Sequence, residues 1–368
     1  MSPQPLRRRL GQLLIGTFNG SSIPVEMRSL AREFDLGGIE FFSRLGNIES
    51  PEQLAELALD VRNLGVELPA WVGIDQEGGR VARLRSPFTE WPPMAVLGRS
   101  GDVELARKFA AALAAELAVV GISIDFAPVL DIHTNPKNPV IGDRALGETP
   151  DIVSKLGRVI IDELQRAGVA ACGKHFPGHG DTSTDSHLEL PIIEHPPDRL
   201  RAVEFEPFRA AVDAGVAFIM TAHVLVTSID EERPATLSRR IVKDILRDEL
   251  RFDGVIVSDD LEMQAIANSY SPSDAAVAAV AAGCDALLMC GSGKKADVAL
   301  QGQAIEALIH AVEDGRLPVK DVEAALDRNR RAKERFIREW KPPTRVALRS
   351  VIGSDEHRAI SEAMSAFA

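Results

Sequence analysis

The sequence predicts a single (β/α)8 TIM-like barrel of the α/β class, and three observations predict it. Eight short runs are apolar or rich in β-branched residues, as is typical of parallel strands that are buried on both faces. Amphipathic stretches of helical period follow these runs, and glycines such as Gly121 and Gly168 lie near their ends, where a left-handed cap favours glycine. No G-x-G-x-x-G motif follows the first run, so a doubly wound open sheet is the less favoured alternative.

The predicted strands and helices alternate along the chain in the order that a barrel requires. The predicted strands are residues 13–18, 37–42, 71–75, 122–129, 170–176, 218–223, 255–259 and 286–290. The predicted helices are residues 51–64, 104–120, 151–167, 200–214, 238–250 and 273–282, followed by 301–315 and 319–340. Ser50 and Asp102 directly precede two of these helices and are suited to cap them.

The chain is predicted to form one large domain followed by a short tail. A length of 368 residues could hold two domains, but no linker-like segment separates the β/α units. We therefore expect residues 1–340 to form the barrel domain. The pair Pro342-Pro343 then introduces a polar C-terminal tail, residues 341–368, with one helical segment.

Composition excludes several classes of protein. Apolar residues make up 45% and charged residues 26% of the chain, as in ordinary folded proteins, and the formal charge of −12 disfavours a nucleic-acid surface. No apolar run is long enough to predict a membrane span. The odd number of cysteines, Cys172, Cys284 and Cys290, all within apolar runs, indicates reduced thiols and hence a cytoplasmic location.

Polar residues cluster where the predicted strands end. Because barrel active sites form at the C-terminal ends of the strands, these residues are the first candidates for chemistry. The strongest groups are Asp75-Gln76-Glu77, Asp125 with Asp131, a following loop with Asp143-Arg144, Lys174-His175, His223, and Ser258-Asp259-Asp260. Chance placement of polar groups would not follow the strand ends so regularly.

Histidines are concentrated after the fifth predicted strand. His175 and His179 lie in a Pro/Gly-rich loop rather than on the helix that an H-E-x-x-H zinc site requires, so no metal is predicted. Asp185 and His187 are two residues apart, and in an extended or turning loop both side chains can face one way. Asp185 would then orient His187 and raise its basicity, as suits a proton-transfer group near neutral pH.

Two adjacent carboxylates, Asp259 and Asp260, end the seventh predicted strand. Neighbouring residues of a strand point to opposite sides, so only one of them readily faces the barrel mouth. The pattern leaves two interpretations open for each residue, because a carboxylate at this place also caps a following helix.

Three separated motifs of the chain resemble those of glycoside hydrolase family 3. They are KHFPGHGD at 174–181 with DSH at 185–187, GIDQEGGRV at 73–81, and SDDLEM at 258–263. More narrowly, the chain is similar to the bacterial β-N-acetylglucosaminidase branch that acts in cell-wall recycling. The resemblance covers roughly residues 8–335 and rests on several motifs in the same order, so it is far more specific than any single motif.

The resemblance implies a retaining exo-enzyme that removes terminal non-reducing β-linked N-acetylglucosamine from peptidoglycan-derived fragments. It implies Asp259 as the nucleophile that forms a covalent glycosyl intermediate, and His187 as the acid/base with Asp185 as its dyad partner. Most retaining glycosidases use two carboxylates instead, so the usual carboxylate spacing does not apply. The sugar-contacting residues that the resemblance implies are Asp75, Arg83, Arg144, Lys174 and His175.

The expected ligand is a small carbohydrate, an N-acetylglucosaminide or a muropeptide. We expect no cofactor, no metal, no nucleic acid and no membrane as partners, and we expect the chain to act as a monomer. The single Tyr and three Trp argue against the aromatic platforms of a long polysaccharide cleft. They are compatible with a pocket that holds one terminal sugar through charged groups.

Other functions remain open at this stage. Some relatives that carry the Asp–His pair are similar to phosphorylases, in which phosphate replaces water. A barrel that uses Lys174 as a Schiff base, as aldolases do, is a second alternative. A barrel that binds sugar without catalysis is the third.

Overall fold

A closed barrel of eight parallel strands forms the centre of the computed structural model, which describes residues 5–65, 67–186, 189–293 and 295–368. The strands are Leu14–Gly16 (β1), Gly38–Glu40 (β2), Trp71–Ile74 (β3), Ile124–Asp125 (β4), Ala170–Phe176 (β5), Phe218–Thr221 (β6), Val255–Asp260 (β7) and Ala286–Leu288 (β8). Each predicted run supplies one strand, so the predicted fold class is confirmed.

Consecutive strands pair in parallel, and β1 closes the barrel. Ile15 of β1 lies opposite Gly38 of β2, and Leu14 lies opposite Leu287 of β8. The remaining neighbours follow sequence order around the barrel, as expected when each strand returns through a helix. All the C-terminal strand ends therefore meet at one rim.

The strand residues divide into two apolar layers with a period of two. One layer fills the barrel interior and includes Trp71, Cys172, Phe218 and Val257, with the rings of Trp71 and Phe218 edge to face at 5.3 Å. The intervening residues, such as Val72, pack outwards against the helices. Both faces are therefore buried, which is why the strands read as continuous apolar runs.

Helices surround the barrel, one after each strand. They are Val25–Phe34 (α1), Pro51–Arg62 (α2), Val103–Val119 (α3), Pro150–Arg166 (α4), Glu206–Asp213 (α5), Arg240–Glu249 (α6), Pro272–Ala282 (α7) and Val298–Glu313 (α8). Ser50 accepts a hydrogen bond from the Gln53 N–H, and Asp102 accepts from the N–H groups of Glu104 and Leu105. The two predicted N-caps are thus present.

The helix predicted over 200–214 is divided in two, and that prediction is wrong in this respect. Pro197–Ala202 ends before the second helix, α5, begins at Glu206. Pro207 is the reason, because it has no N–H to donate and its ring clashes with the preceding turn of a continuous helix. Proline is tolerated in the first turn of a new helix, where α5 places it.

Several short elements lie outside the barrel wall. Short helices occupy Leu6–Arg9, Met94–Ser100 and Gln264–Ala267. Gln76–Gly78 pairs with Val81–Ala82 as a small hairpin after β3, and Ile192–Ile193 pairs with Leu225–Val226. In the part of the chain that the structure describes, no helix has the length and apolar character needed to cross a bilayer.

The last helices are Val319–Phe336 (α9), Arg345–Val351 (α10) and Asp355–Ser365 (α11). Residues 341–368 thus contain two helices, α10 and α11, where the sequence predicts one helical segment. The buried carboxylate of Glu116 in α3 holds this part of the chain. It accepts hydrogen bonds from the Gly353 N–H at 2.9 Å and from Thr89 Oγ1 at 2.6 Å, and it contacts His357 Nδ1 at 2.8 Å.

Candidate active site

A cavity of about 260 Å³ opens at the C-terminal ends of the barrel strands. Six of the eight residues that the sequence nominates line it: Asp75, Arg83, Arg144, Lys174, His175 and Asp259. Asp185 lies on the loop that follows β5, outside this lining. His187 lies outside the described residues. The strand-end pattern of the sequence therefore corresponds to one physical site.

The ammonium group of Lys174, near the end of β5, is the centre of the cavity wall. Its Nζ atom donates to Asp75 Oδ1 at 2.7 Å and lies 2.6 Å from Glu77 Oε1. The Lys174 side chain is 3% exposed. A buried ammonium requires such partners, because an unpaired charge in this position would be strongly destabilising.

Two arginines extend this ion-pair network on opposite sides. Arg83 Nη2 donates to Asp75 Oδ2 at 2.7 Å. Arg144 binds Glu77 with both forks of its guanidinium, Nε to Oε2 at 2.9 Å and Nη2 to Oε1 at 2.8 Å. This bidentate geometry fixes both planes. Two carboxylates and three cations thus form one connected charged surface.

The network determines the protonation of its members. Burial would raise the pKa of Asp75, but Lys174 and Arg83 hold it well below the usual range. Burial opposes Arg144 and Lys174 in the same way at Glu77, whose pKa falls to about 2. Burial would lower the pKa of Lys174, but Asp75 and Glu77 raise it above its ordinary value. All three groups are therefore charged at neutral pH.

His175 is oriented from behind by Asp131. Its Nδ1 atom lies 2.7 Å from Asp131 Oδ2, and its backbone N–H donates to the same carboxylate at 3.2 Å. The other oxygen, Oδ1, accepts from the His179 N–H at 2.6 Å. A carboxylate on Nδ1 leaves Nε2 of His175 as the atom available to a ligand.

The loop after β5 is anchored on both sides of Asp185 and His187. His179 is buried and its ring bridges the loop, with Nδ1 2.7 Å from Thr182 Oγ1 and Nε2 3.0 Å from Ser186 Oγ. Burial lowers the pKa of His179 to about 4, so the ring is neutral and can donate from only one of its nitrogens. The Ser186 carbonyl accepts from the Ala265 N–H. These contacts fix the residue next to His187.

A second anchor lies at Asp181, at the start of the same loop. Thr134 Oγ1 donates to its Oδ1 at 2.8 Å, and His195 Nε2 contacts its Oδ2. Further along, the Asp185 carbonyl accepts from the Glu189 N–H at 3.0 Å. The relation of Asp185 to His187 stays a prediction, because His187 is outside the described residues.

The structure distinguishes the adjacent carboxylates at the end of β7. Asp260 is held by backbone N–H groups: Oδ1 accepts from Cys290 at 3.0 Å and from Glu262 at 3.1 Å, and Oδ2 accepts from Ser292 at 2.8 Å. Asp259 lines the cavity and accepts the Asp260 N–H at 2.8 Å. Asp260 therefore fixes the loop after β8, while Asp259 presents a carboxylate to a ligand.

Three further groups belong to the site but had no role in the sequence interpretation: Glu77, Asp131 and Glu40. Glu77 and Asp131 could have been found, since both follow predicted strands by a few residues. Glu40 ends β2 and lines the cavity, and its position at a strand end was the signal for it. Among the described residues, no group of three or more His, Cys, Asp or Glu side chains is arranged to hold a metal ion.

Comparison with known proteins agrees with this site. Residues 5–332 match the family model described as glycosyl hydrolase family 3 N terminal domain. A β-hexosaminidase of Nitrosomonas eutropha is 39% identical over 324 residues, which cover 86% of this chain and 91% of that relative.

Solved structures agree as well. A family 3 β-N-acetylglucosaminidase from Paenibacillus sp. superposes with a TM-score of 0.91 and 38% identity over 99% of this chain and 69% of that one. NagZ of Neisseria gonorrhoeae in complex with N-trifluoroacetyl-D-glucosamine has a TM-score of 0.76 and 30% identity, over 97% of this chain and 98% of that one.

The ion-pair network predicts a specific effect of Lys174→Met. Removal of the ammonium leaves two buried carboxylates without their shared cation, so we expect kcat/KM to fall by about 100-fold and the free energy of unfolding by about 3–5 kcal/mol. In the wild type, the depressed pKa values of Asp75 and Glu77 contribute stability that is lost as the pH falls from about 4.5 to 2. In the variant these shifts shrink, so the acid-dependent loss shrinks too.

Urea unfolding at pH 7 and pH 3, with steady-state kinetics at pH 7, measures both effects. Lys333→Met is the matched control, because Lys333 is equally buried but donates to Gln12 at 2.6 Å, away from the cavity. We expect it to retain the wild-type kcat/KM. Equal kinetics for the two variants would show that Lys174 has no part in the site.

Proposed function

The chain belongs to glycoside hydrolase family 3, and we propose that it is a retaining exo-β-N-acetylglucosaminidase. Its substrate would be a terminal, non-reducing β-linked N-acetylglucosamine. The observation that carries the proposal is the arrangement of Asp259 in a small cavity whose opposite wall holds ionised Asp75 and Glu77 among cations. The names of the relatives, β-hexosaminidase and β-N-acetylglucosaminidase, agree with it.

The size of the cavity supports an exo-acting enzyme. Small-molecule sites usually measure about 300–1,000 Å³, and this cavity, at about 260 Å³, is suited to one sugar unit. Its polar lining offers both acceptors and donors to a sugar. Asp75 and Glu77 accept from hydroxyl groups, and Arg144 and Lys174 donate charge-assisted hydrogen bonds. A long polysaccharide would need an open cleft instead.

The proposed reaction has two displacement steps. In the first, a carboxylate oxygen of Asp259 attacks the anomeric carbon while the imidazolium of His187 gives its proton to the leaving oxygen, and the glycosidic bond breaks. In the second, neutral His187 takes a proton from water, whose oxygen attacks the same carbon and releases Asp259. Two inversions give net retention, and the proton on His187 is restored.

The protein contributes position and charge to both steps. Asp259 sits on a barrel strand, so its carboxylate is held by the most rigid part of the fold. Asp185 would orient the His187 ring and stabilise its charged form. The anchors at Asp181 and Ser186 limit where the loop can place His187. The site thus combines a fixed nucleophile with an acid/base on a tethered loop.

The protonation of Lys174 opposes the Schiff-base alternative. A lysine attacks a carbonyl as the neutral amine, and enzymes that use this chemistry lower the lysine pKa. Here Asp75 and Glu77 raise it and also occupy the ammonium with hydrogen bonds. Lys174 is therefore suited to bind and not to attack.

We also propose a natural substrate and a location. Peptidoglycan-derived fragments are the proposed source of the terminal sugar, and the proposed compartment is the cytoplasm, with the chain acting as a monomer. Cys172, Cys284 and Cys290 are buried free thiols, which is typical of proteins from a reducing compartment.

Asp259→Ala is expected to reduce kcat for an aryl β-N-acetylglucosaminide by about 10⁴-fold or more, because the covalent intermediate cannot form. A slowly turned-over 5-fluoro analogue should label the wild type, and mass spectrometry should locate the adduct on Asp259. Asp253→Ala is the control, since Asp253 is an exposed carboxylate remote from the cavity. A fully active Asp259→Ala enzyme would overturn the mechanism.

His187→Ala is expected to slow substrates with poor leaving groups most, because only these need a proton in the first step. A plot of log(kcat/KM) against leaving-group pKa should become steeper than in the wild type. His310→Ala, at an exposed histidine, should keep the wild-type slope. An unchanged slope in His187→Ala would assign the proton transfer to another group.

Substrate specificity and the acceptor are tested together. We expect aryl β-N-acetylglucosaminide to be cleaved with a kcat/KM at least tenfold above that of aryl β-glucoside, and phosphate to leave the product unchanged. Preference for the glucoside would contradict the proposed sugar. Strong acceleration by phosphate, with sugar phosphate as the product, would make the enzyme a phosphorylase.

A further inference from the structure

Glu40 is a buried carboxyl group in the cavity that the proposed mechanism does not use. It ends β2, its residue is 2% exposed, and it lines the same cavity as Asp75 and Asp259. Cys290 Sγ donates a hydrogen bond to its Oε2 atom at 3.2 Å. Among the described residues, no hydrogen bond reaches its Oε1 atom, and Oε1 is not one of the enclosed polar atoms without a partner. Oε1 therefore opens to the cavity.

The surroundings of Glu40 keep its carboxyl group neutral. Burial raises its pKa well above the usual range, and the nearby charge of Asp75 raises it further. Arg83, the Cys290 thiol and Lys174 act in the opposite direction without offsetting the burial. These are the groups that face it from β3 and its hairpin, from β5 and from the segment after β8. A neutral carboxyl group has one O–H donor besides its acceptor oxygen.

The position of the proton follows from the contact with Cys290. Since Oε2 accepts from the thiol, the O–H of neutral Glu40 lies on Oε1 and can donate into the cavity. Asp75, which is ionised, can only accept. A sugar hydroxyl group both donates and accepts, so the two carboxyl groups offer complementary contacts to a polyhydroxylated ligand.

We propose that Glu40 is a further substrate-binding residue whose Oε1 donates a hydrogen bond to an oxygen substituent of the bound sugar and so helps to determine which sugars are accepted. This inference rests on the proposed function, because the ligand is the sugar of that reaction. A buried donor without a partner is unfavourable, and the sugar oxygen supplies the partner.

The purely structural alternative is that Glu40 only supports the loop after β8 through Cys290. That role predicts an effect of substitution on stability and on all substrates alike. A binding role predicts an effect that depends on one sugar substituent. Deoxy analogues of the substrate separate the two, because each one lacks a single hydroxyl group.

The experiment compares Glu40→Leu and Glu40→Gln with the wild type on an aryl β-N-acetylglucosaminide and its 3-, 4- and 6-deoxy analogues. We expect Glu40→Leu to lower kcat/KM for the parent substrate by about 10- to 100-fold. One deoxy analogue should then show no further loss in Glu40→Leu, although it loses activity with the wild type. Glu40→Gln, whose amide still donates, should stay within about threefold of the wild type.

Binding of N-acetylglucosamine as a function of pH gives a second readout. In the wild type its inhibition constant should rise as the pH passes upward through the raised pKa of Glu40, because the ionised group cannot donate and repels Asp75. Glu40→Gln should lack this rise, since an amide does not titrate. The matched control is Glu116→Gln, which removes another buried carboxylate outside the cavity and should retain the wild-type kcat/KM and pH profile.

Two results would overturn the inference: equal penalties for every deoxy analogue in the wild type and in Glu40→Leu, or an unchanged pH profile in Glu40→Gln. Either can occur while the wild type hydrolyses the parent substrate, and then the proposed function stands without Glu40. A wild-type protein that does not hydrolyse N-acetylglucosaminides would instead contradict the proposed function itself. Thermal unfolding of each variant identifies those that fail to fold.

Discussion

The buried ammonium of Lys174 is the interaction on which the site depends. It neutralises Asp75 and Glu77 at once, and neither carboxylate could remain ionised in this enclosed place without it. The contact also joins the end of β5 to the segment after β3, across the barrel mouth. Arg83 and Arg144 then fix the outer sides of the same two carboxylates. The binding wall is therefore formed before a sugar enters, and little reorganisation is needed on binding.

Against this rigid wall, the loop after β5 is tied down at separate points. Gly180 packs so closely on the Ile132 carbonyl that a Cβ atom would lie 1.7 Å from its oxygen. His179 joins Thr182 to Ser186, and Asp181 is held by Thr134 and His195. An acid/base on such a loop is confined near the cavity while keeping more freedom than a strand residue has. That freedom suits a group that must serve two different oxygens in the two steps.

The sequence was sufficient for most of the fold but for less of the site. All eight strands could be predicted, because burial on both faces produces continuous apolar runs and polar residues mark their C-terminal ends. The partners of Lys174 could not, since Asp75 lies 99 positions away and their contact exists only once the barrel closes. Glu40 has the same difficulty: its chemistry depends on burial and on Cys290, 250 positions away. The break before Pro207 was visible locally and was overlooked.

Asp259 and Asp260 show how tertiary structure gives identical neighbours different chemistry. Three backbone N–H groups bind the Asp260 carboxylate, yet burial still raises its pKa to about 7. Such a group is too enclosed and too well bonded to attack a carbon atom. Asp259, one residue earlier, points to the other side of the strand and faces the cavity. The loop that captures Asp260 therefore selects the nucleophile, because it removes the competing carboxylate from the reaction.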